Sequence, residues 1–474
     1  MIRFFLMALG FLGAMAWDSR VMGTEFGRPN ILVIVSDDQG YGDAGFQGCA
    51  DIPTPNLDAL AKTGVLCTNG YVTHCFCSPT RAGLLTGRYQ QRFGHEFNPV
   101  YDPLDRNEGL PLSEKLLPQY LREVGYRTGW VGKWHLGSSP EHQPGARGFE
   151  ETFGFIGGGH RFLGWKPNGR QYTLPIERNG KPIEVTGHLT TRFGKEARAF
   201  VEKASPAPWF LYLAFNAPHM PHEPTPEKLA RFDHIQDMTR RKYAAQLSLM
   251  DDAIGDLVKA LERTGQRERT LVFFFSDNGG PARTNGSKNG ALRGQKGDLY
   301  EGGIRVPFVV SWPGTLPAGV KYREPVVSLD AFGTALAVAG IKPPDGKKID
   351  GVDLVPFLKG EKKGAPHDRL YWRKGGGVAH ALREGNWKII RGNNQATQLY
   401  NLAEDVGESR DLAIEKPGEL ARLSASLEDL EKQMVKPAFL GSSVKNEDWG
   451  PGGANQQKQG KPLGGQEPVK GNHP

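Results

Sequence analysis

Cysteine is scarce in this chain. Four residues in 474, Cys49, Cys67, Cys75 and Cys77, do not make a disulfide framework. Long apolar runs are as rare. The one continuous run, Phe4–Ala16, falls short of the ~20 apolar residues that a membrane span needs. It follows Met1-Ile2-Arg3 and ends in Ala14-Met15-Ala16, the pattern of a secretory signal with a small-x-small cleavage site. No cysteine precedes Cys49, which argues against lipid attachment near that site. The sequence therefore predicts an exported protein, periplasmic or secreted, with a signal peptide in residues 1–23 (cleavage after residue 16 is one option) and no stable membrane insertion. Runs of Lys and Arg interleaved with aromatics are missing, so nucleic acid is not the expected partner. Internal repeats are missing too.

What remains is the composition of a globular protein, 38% hydrophobic and 23% charged, able to bury a large core. The length suits one large domain plus a small one. The net charge of +7 suits anionic partners without selecting one.

Five short apolar runs read as buried strands of a parallel sheet: Ile31–Val35, Thr128–Val131, Trp209–Phe215, Thr270–Phe275 and Val306–Ser311. Helical patterns lie between them at Asn56–Thr63, Ser113–Val124, Gly194–Lys203 and Thr239–Arg263. Such alternation predicts an α/β sheet with helices on both sides, and sites at the carboxyl ends of its strands. After about Pro366 the pattern changes. Leu370–Arg373, Ala379–Arg383, Trp387–Arg391 and Gln398–Asn401 read as short antiparallel strands, followed by a helix over Pro417–Met434. From about Gly441 the chain is rich in Gly, Pro, Gln and Lys, a composition that cannot supply a core. The expected units are thus 24–365, 366–440 and a tail over 441–474.

Two predicted strands end alike, one in Ser36-Asp37-Asp38 and the other in Ser276-Asp277-Asn278. Adjacent carboxylates repel unless a cation lies between them, and hard oxygen donors from separate segments suit Ca²⁺ or Mg²⁺. A turn and helix cap is the plain alternative for either cluster alone. Further on, Pro79 suits a first helical turn and Gly87 a terminator. Cys77 then sits at a helix N-terminus, where the dipole favours negative charge, with Arg81 on the same face. That makes Cys77 a candidate nucleophile.

The stretch Cys77-Ser78-Pro79-Thr80-Arg81, with Thr86-Gly87 after it, resembles the C-x-P-x-R signature of the type I, formylglycine-dependent sulfatases of the alkaline phosphatase superfamily. Other segments resemble that family in order: Asp37–Asp43, Gly132-Lys133-Trp134-His135-Leu136-Gly137, Ala217-Pro218-His219-Met220-Pro221, Asp277-Asn278-Gly279-Gly280, and Leu292–Lys296 through Glu301–Pro307. The resemblance covers most of the chain outside the tail. It implies an alkaline-phosphatase-like α/β sandwich with a large central mixed, mostly parallel sheet and a small C-terminal α+β subdomain with an antiparallel sheet.

It also implies roles. Asp37, Asp38, Asp277 and Asn278 resemble the family's Ca²⁺ ligands, completed by a Cα-formylglycine made from Cys77 by a maturation enzyme. Arg81 resembles the arginine that steadies the formylglycine. Lys133 and Lys296 resemble sulfate clamps, His135 the partner of the formylglycine hydrate, and His219 the histidine near the leaving oxygen. The implied activity is sulfate ester hydrolysis on a sulfated carbohydrate. The rivals are a phosphodiesterase or phosphonate monoester hydrolase of the same superfamily, and a catalytically silent protein that binds sulfated glycan. His160 and Arg161 are candidate substrate contacts in the loop Gly154–Phe162, with a structural loop the equal alternative. The segment Gln91–Tyr101, with His95 and Glu96, is a candidate for the pocket mouth.

Overall fold

The computed structural model describes residues 27–168, 171–343, 345–392 and 395–441. The predicted signal peptide and the tail after residue 441 lie outside the described residues. In chain order the strands are β1 (Asn30–Ser36), β2 (Val65–Cys67), β3 (Gly70–Tyr71), β4 (Arg127–Lys133), β5 (Glu151–Phe155), β6 (Ile176–Arg178), β7 (Lys181–Ile183) and β8 (Trp209–Ala214). They continue with β9 (Thr270–Ser276), β10 (Phe308–Ser311), β11 (Val320–Tyr322), β12 (Val326–Val327), β13 (Leu370–Lys374), β14 (Ala379–Glu384), β15 (Trp387–Gly392) and β16 (Gln398–Asn401). The helices that matter here are α1 (Pro55–Lys62), α2 (Cys77–Thr86), α3 (Leu117–Glu123), α4 (Leu189–Glu202), α5 (Pro226–Ala230) and α6 (Met238–Arg263).

Ten strands form the central sheet, in the order β11-β2-β10-β9-β1-β8-β4-β5-β6-β7. The middle strands, β9, β1, β8, β4 and β5, are parallel. Their continuous apolar character has a simple cause. Ile31, Val33 and Val35 of β1 enter one core and Leu32 and Ile34 the other, so both faces of the strand are buried. Helices α4 and α6 cover one face, with Phe193, Ala197, Leu247, Ile254 and Leu257 among the buried residues. The 26-residue α6 starts at an N-cap Asp237 whose carboxylate accepts from the Thr239 and Arg240 amides.

Two expectations need correction. The run Val306–Ser311, expected in a parallel sheet, holds β10, which runs antiparallel to β9. The strand begins at Phe308, after Pro307, which has no amide hydrogen to give a ladder. The helix expected from Ser113 starts at Leu117. Pro118 sits at its second position, where a missing N–H costs nothing.

The small sheet has the order β13-β14-β15-β16 and is antiparallel throughout. Its core is shared with the large unit. Leu370, Trp372 and Ile389 pack with Tyr71, Tyr89 and Val327, and the Trp372 indole donates to the Val72 carbonyl at 2.7 Å. The closing helix (Pro417–Glu431) lies on this sheet. No helix among the described residues is long and apolar enough to cross a membrane.

Candidate active site

The register of β1 on β9 builds the site. Ser36 pairs with Ser276, so the residues that follow, Asp37 beside Asp277 and Asp38 beside Asn278, leave the sheet at the same level. The Asp277 amide donates to the Ser36 carbonyl at 3.0 Å. The Asn278 side-chain amide donates to Asp38 Oδ1 at 2.7 Å. Asp38 takes a left-handed backbone, φ 64°, rare outside glycine and concentrated at functional sites.

Helix α2 points its N-terminus at this pair. Cys77 is its first residue, Arg81 lies one turn on, and Gly87 closes it in a left-handed cap, φ 67°. The Cys77 thiol lies 3.7 Å from Asp37 Oδ1. Arg81 reaches Asp277 Oδ2 with Nε at 3.0 Å and Nη2 at 2.7 Å. Lys133, the last residue of β4, meets Asp37 Oδ2 at 2.6 Å. Lys296, from the loop after β9, meets Asp38 Oδ1 at 2.6 Å. His219 Nε2 is 3.5 Å from Asp38 Oδ2, and its Nδ1 is 2.5 Å from the Met220 carbonyl, which fixes the ring.

Electrostatics follow from this crowding. Burial pushes the Asp37 carboxyl up, but Lys133, His219 and Arg81 outweigh it and the net shift is down. Asp38 is lowered likewise against burial, by Lys296 and His219. Burial also works against the charge on Lys296, yet Asp38 carries it well above the ordinary lysine value. His135 is pushed well down, first by burial and then by Lys133, Arg81 and Lys296, so its imidazole is neutral. Burial drives the Cys77 thiol up to about 12.

Ligand atoms of Asp37, Asp38, Cys77 and Asp277 all lie within 4.8 Å of one another. Asn278 Oδ1 is buried and has no hydrogen-bond partner, which is costly unless something else fills the place. A set of converging hard oxygens with one acceptor left open fits a calcium ion. The side chains of Asp37, Arg81, Lys133 and Asp277 are inaccessible to solvent, whereas Lys296 is 16% exposed and His219 15%. Access is therefore from the side of these two.

The structure brings together Asp37, Asp38, Cys77, Arg81, Lys133, His135, His219, Asp277, Asn278 and Lys296. The side chains of His160 and Arg161 are engaged with other partners. His160 is buried, with Nδ1 2.6 Å from the Arg161 carbonyl and Nε2 2.8 Å from the Leu174 carbonyl; as placed, neither ring nitrogen is free for a substrate. Arg161 is exposed and pairs with Glu223 at 2.5 Å. In the segment Gln91–Tyr101, His95 lies beneath the site. Its Nε2 is 2.7 Å from the Ser78 hydroxyl, which donates to the His135 carbonyl at 2.5 Å. Glu96 is also buried, paired with Arg373 of β13. Sequence reasoning missed Ser78 as the link between the Cys77 helix and His135, although it stands inside the signature.

Known proteins resemble this chain in sequence and fold. The sulfatase family pattern matches residues 29–341, and that of the C-terminal part of N-sulphoglucosamine sulphohydrolase matches 295–436. Mouse N-acetylgalactosamine-6-sulfatase is 35% identical over 384 residues, covering 76% of this chain and 71% of its own. The uncharacterized sulfatase YdeN of Escherichia coli K12 is 32% identical over 399 residues, 73% of this chain and 69% of its own. Among solved structures, Ps i-CgsB in complex with k-i-k-neocarrahexaose is 37% identical with a TM-score of 0.83, over 88% of this chain and 96% of that one. The phosphonate monoester hydrolase of Agrobacterium radiobacter shares the fold at 21% identity and a TM-score of 0.61, over 86% of this chain and 95% of that one. With strand ends, helix and cations arranged in this way, and with relatives of this identity and coverage, the chain belongs to the sulfatase family and is a sulfuric ester hydrolase.

Proposed function

We propose that this enzyme removes sulfate from a sulfated carbohydrate, with a Cα-formylglycine derived from Cys77 as nucleophile and a calcium ion held by Asp37, Asp38, Asp277 and Asn278. The observation that carries the reading is the buried set of Asp37, Asp38, Cys77 and Asp277, whose ligand atoms lie within 4.8 Å of one another, flanked by Lys133 and Lys296. The unmodified thiol supports it from the other side. With its pKa at about 12, Cys77 is protonated near neutrality and a poor nucleophile, whereas a formylglycine hydrate offers one hydroxyl to attack sulfur and another to help expel the sulfate.

The chain's own residues do the rest. Lys133 and Lys296 are placed to neutralise the sulfate oxygens, fixed charges that need no reorganisation as the reaction proceeds. Bound calcium supplies a Lewis acid for a sulfate oxygen. Arg81, locked on Asp277, steadies the nucleophile end of α2. Neutral His135 can take a proton from the nucleophile's second hydroxyl. His219, at the accessible side, is placed to give a proton to the departing alcohol, together with Lys296. The carbohydrate assignment draws on the relatives, one named for N-acetylgalactosamine 6-sulfate and one bound to a neocarrahexaose. Unit 24–365 would hold the chemistry, and unit 366–440 would brace it. The N-terminal signal read from the sequence would put the reaction in the periplasm or outside the cell.

Mass spectrometry of the tryptic peptide containing Cys77, from protein of the native host, tests the nucleophile. Aldehyde in place of thiol is expected, and a thiol in fully processed protein overturns it. Matched sulfate and phosphate esters test the reaction: a preference for phosphate diesters would move the chain to the phosphodiesterase reading.

A further inference from the structure

The loop between β5 and β6 carries a tyrosine that the chemistry above does not use. Gln171–Thr173 form a single 3-10 turn. The Arg161 amide donates to the Tyr172 carbonyl at 3.0 Å, which ties the two limbs of the loop together. The Tyr172 ring then lies over Gly159. A Cβ at Gly159 would come within 2.5 Å of Tyr172 Cε1, so only glycine leaves room for the ring there. The ring also meets His219, with centroids 6.5 Å apart and planes inclined by 33°.

The contact with His219 puts the ring beside the site. Burial raises the pKa of the Tyr172 hydroxyl, and the charged groups that act on it are Lys296, Lys133, Asp38 and Asp37. Tyr172 is half-buried, and no hydrogen bond from its hydroxyl is present among the described residues. Here the ring lies against Gly159 and beside His219 on the accessible side, and the polar tip has no partner within the described residues. An aromatic face with one free hydroxyl, next to cations that bind sulfate, matches the chemistry of a sugar ring: C–H groups for the face and hydroxyls for the tip.

We propose that Tyr172 is a specificity-determining residue that receives the sugar carrying the scissile sulfate, its hydroxyl bonding a hydroxyl of that sugar. The inference rests on the sulfated-carbohydrate reading and adds the residue that distinguishes a sugar from a plain aryl leaving group. An aryl sulfate can stack on the ring but carries no sugar hydroxyl for it to bond.

Steady-state kinetics on Tyr172→Phe and Tyr172→Ala test this, with N-acetylgalactosamine 6-sulfate and k-i-k-neocarrahexaose as sugars and 4-nitrophenyl sulfate as the aryl ester. Tyr172→Phe should raise KM about fivefold to tenfold for a sugar that the native enzyme cleaves, the worth of one neutral hydrogen bond. Its kcat should hold, and its aryl sulfate kinetics should stay within twofold. Tyr172→Ala should weaken both substrate classes. Equal losses on sugar and aryl ester in Tyr172→Phe would make Tyr172 only a support for His219 and overturn the proposal, as would no change in either variant. If the native chain releases sulfate from no ester, the hydrolase reading fails separately. Calorimetric binding of the same two sugars to native and Tyr172→Phe protein then decides: at least fivefold weaker binding by the variant supports the assignment, and equal binding or none by the native chain overturns it.

Discussion

At the carboxyl edge of the central sheet, Asp37, Asp38 and Asp277 face Arg81, Lys133 and Lys296. Where the small sheet meets the large unit, Glu301 and Glu408 face Lys388, with Arg305 and Arg383 close by. Both groups are buried, and both would be ruinous without compensation. The second group is paired almost throughout: of its carboxylate oxygens Glu408 Oε1 alone has no hydrogen-bond partner, and it still lies in an ion pair. Lys388 Nζ sits 2.8 Å from Glu301 Oε1 and 2.8 Å from Glu408 Oε1, Arg305 is 3.3 Å from Glu301 Oε2, and the Tyr71 hydroxyl donates to Glu301 at 2.5 Å. Burial would raise the Glu301 carboxyl, yet Lys388, Arg305 and Arg383 hold it down at about 2. The first group leaves Asn278 Oδ1 and His135 Nδ1 without partners. A network paired mostly from within holds two parts of a protein together, whereas one with open acceptors leaves room for a ligand.

The sharpest test of that contrast is to disable each region and ask what is lost. Cys77→Ser, with the serine shown to be unmodified, should lower sulfate release by about a thousandfold or more, while the melting temperature stays close to native in calorimetry. Full turnover in that variant would sink the mechanism. Lys388→Met should do the reverse. It strands two buried carboxylates, which costs about 3–5 kcal/mol, and the loss should appear as a lower urea midpoint with kcat of the folded fraction unchanged. An unaltered midpoint would show that the network is not structural.

Calcium should separate the regions again, with a somewhat smaller effect. At about 100 times its Kd it should add ~2.7 kcal/mol, read as a higher melting temperature. Asp277→Asn should erase most of that gain and Lys388→Met should keep it. If EDTA leaves both activity and melting temperature of native protein unchanged, the metal assignment fails. The smallest effect concerns an ion pair outside both groups. His367 Nε2 is 2.7 Å from Asp330. Burial disfavours the imidazolium, but Asp330 outweighs burial and raises the His367 pKa. A raised pKa in the folded state stabilises fully below the unfolded value, about 6.5, and the contribution disappears as pH rises through the folded value. Melting temperatures measured from pH 6 upward should therefore fall more steeply for the native chain than for His367→Gln.

Much of this was legible before any coordinates. The strands of the parallel centre are apolar on both faces, so each stood out as an unbroken run, and the small sheet was punctuated by turns at Gly375–Gly377 and Gly385. Asp37 and Asp277 were legible as a pair because both strands end in serine followed by oxygen-bearing residues. Other features depend on contacts that no local pattern encodes. Lys388 meets glutamates 87 and 20 residues away in sequence, each in a different element. The direction of β10 depends on how the chain returns to the sheet, which its run of valines does not specify. Tyr172 sits in a loop with no periodicity, and only the ring of His219 across the gap gives it meaning.

The pairing of Ser36 with Ser276 also has a consequence in time. The two acidic strand ends are separated by 240 residues, and a ribosome adding about 5–20 residues per second needs roughly 12–48 s to go from one to the other. During that interval β1 has neither its β9 neighbour nor Arg81's partner Asp277, and the cradle at the sheet edge does not exist. Loop closure over such a span is slow compared with local folding. Binding of calcium to nascent or truncated chains should therefore begin abruptly once β9 has emerged, which would make the ion a reporter of completed topology.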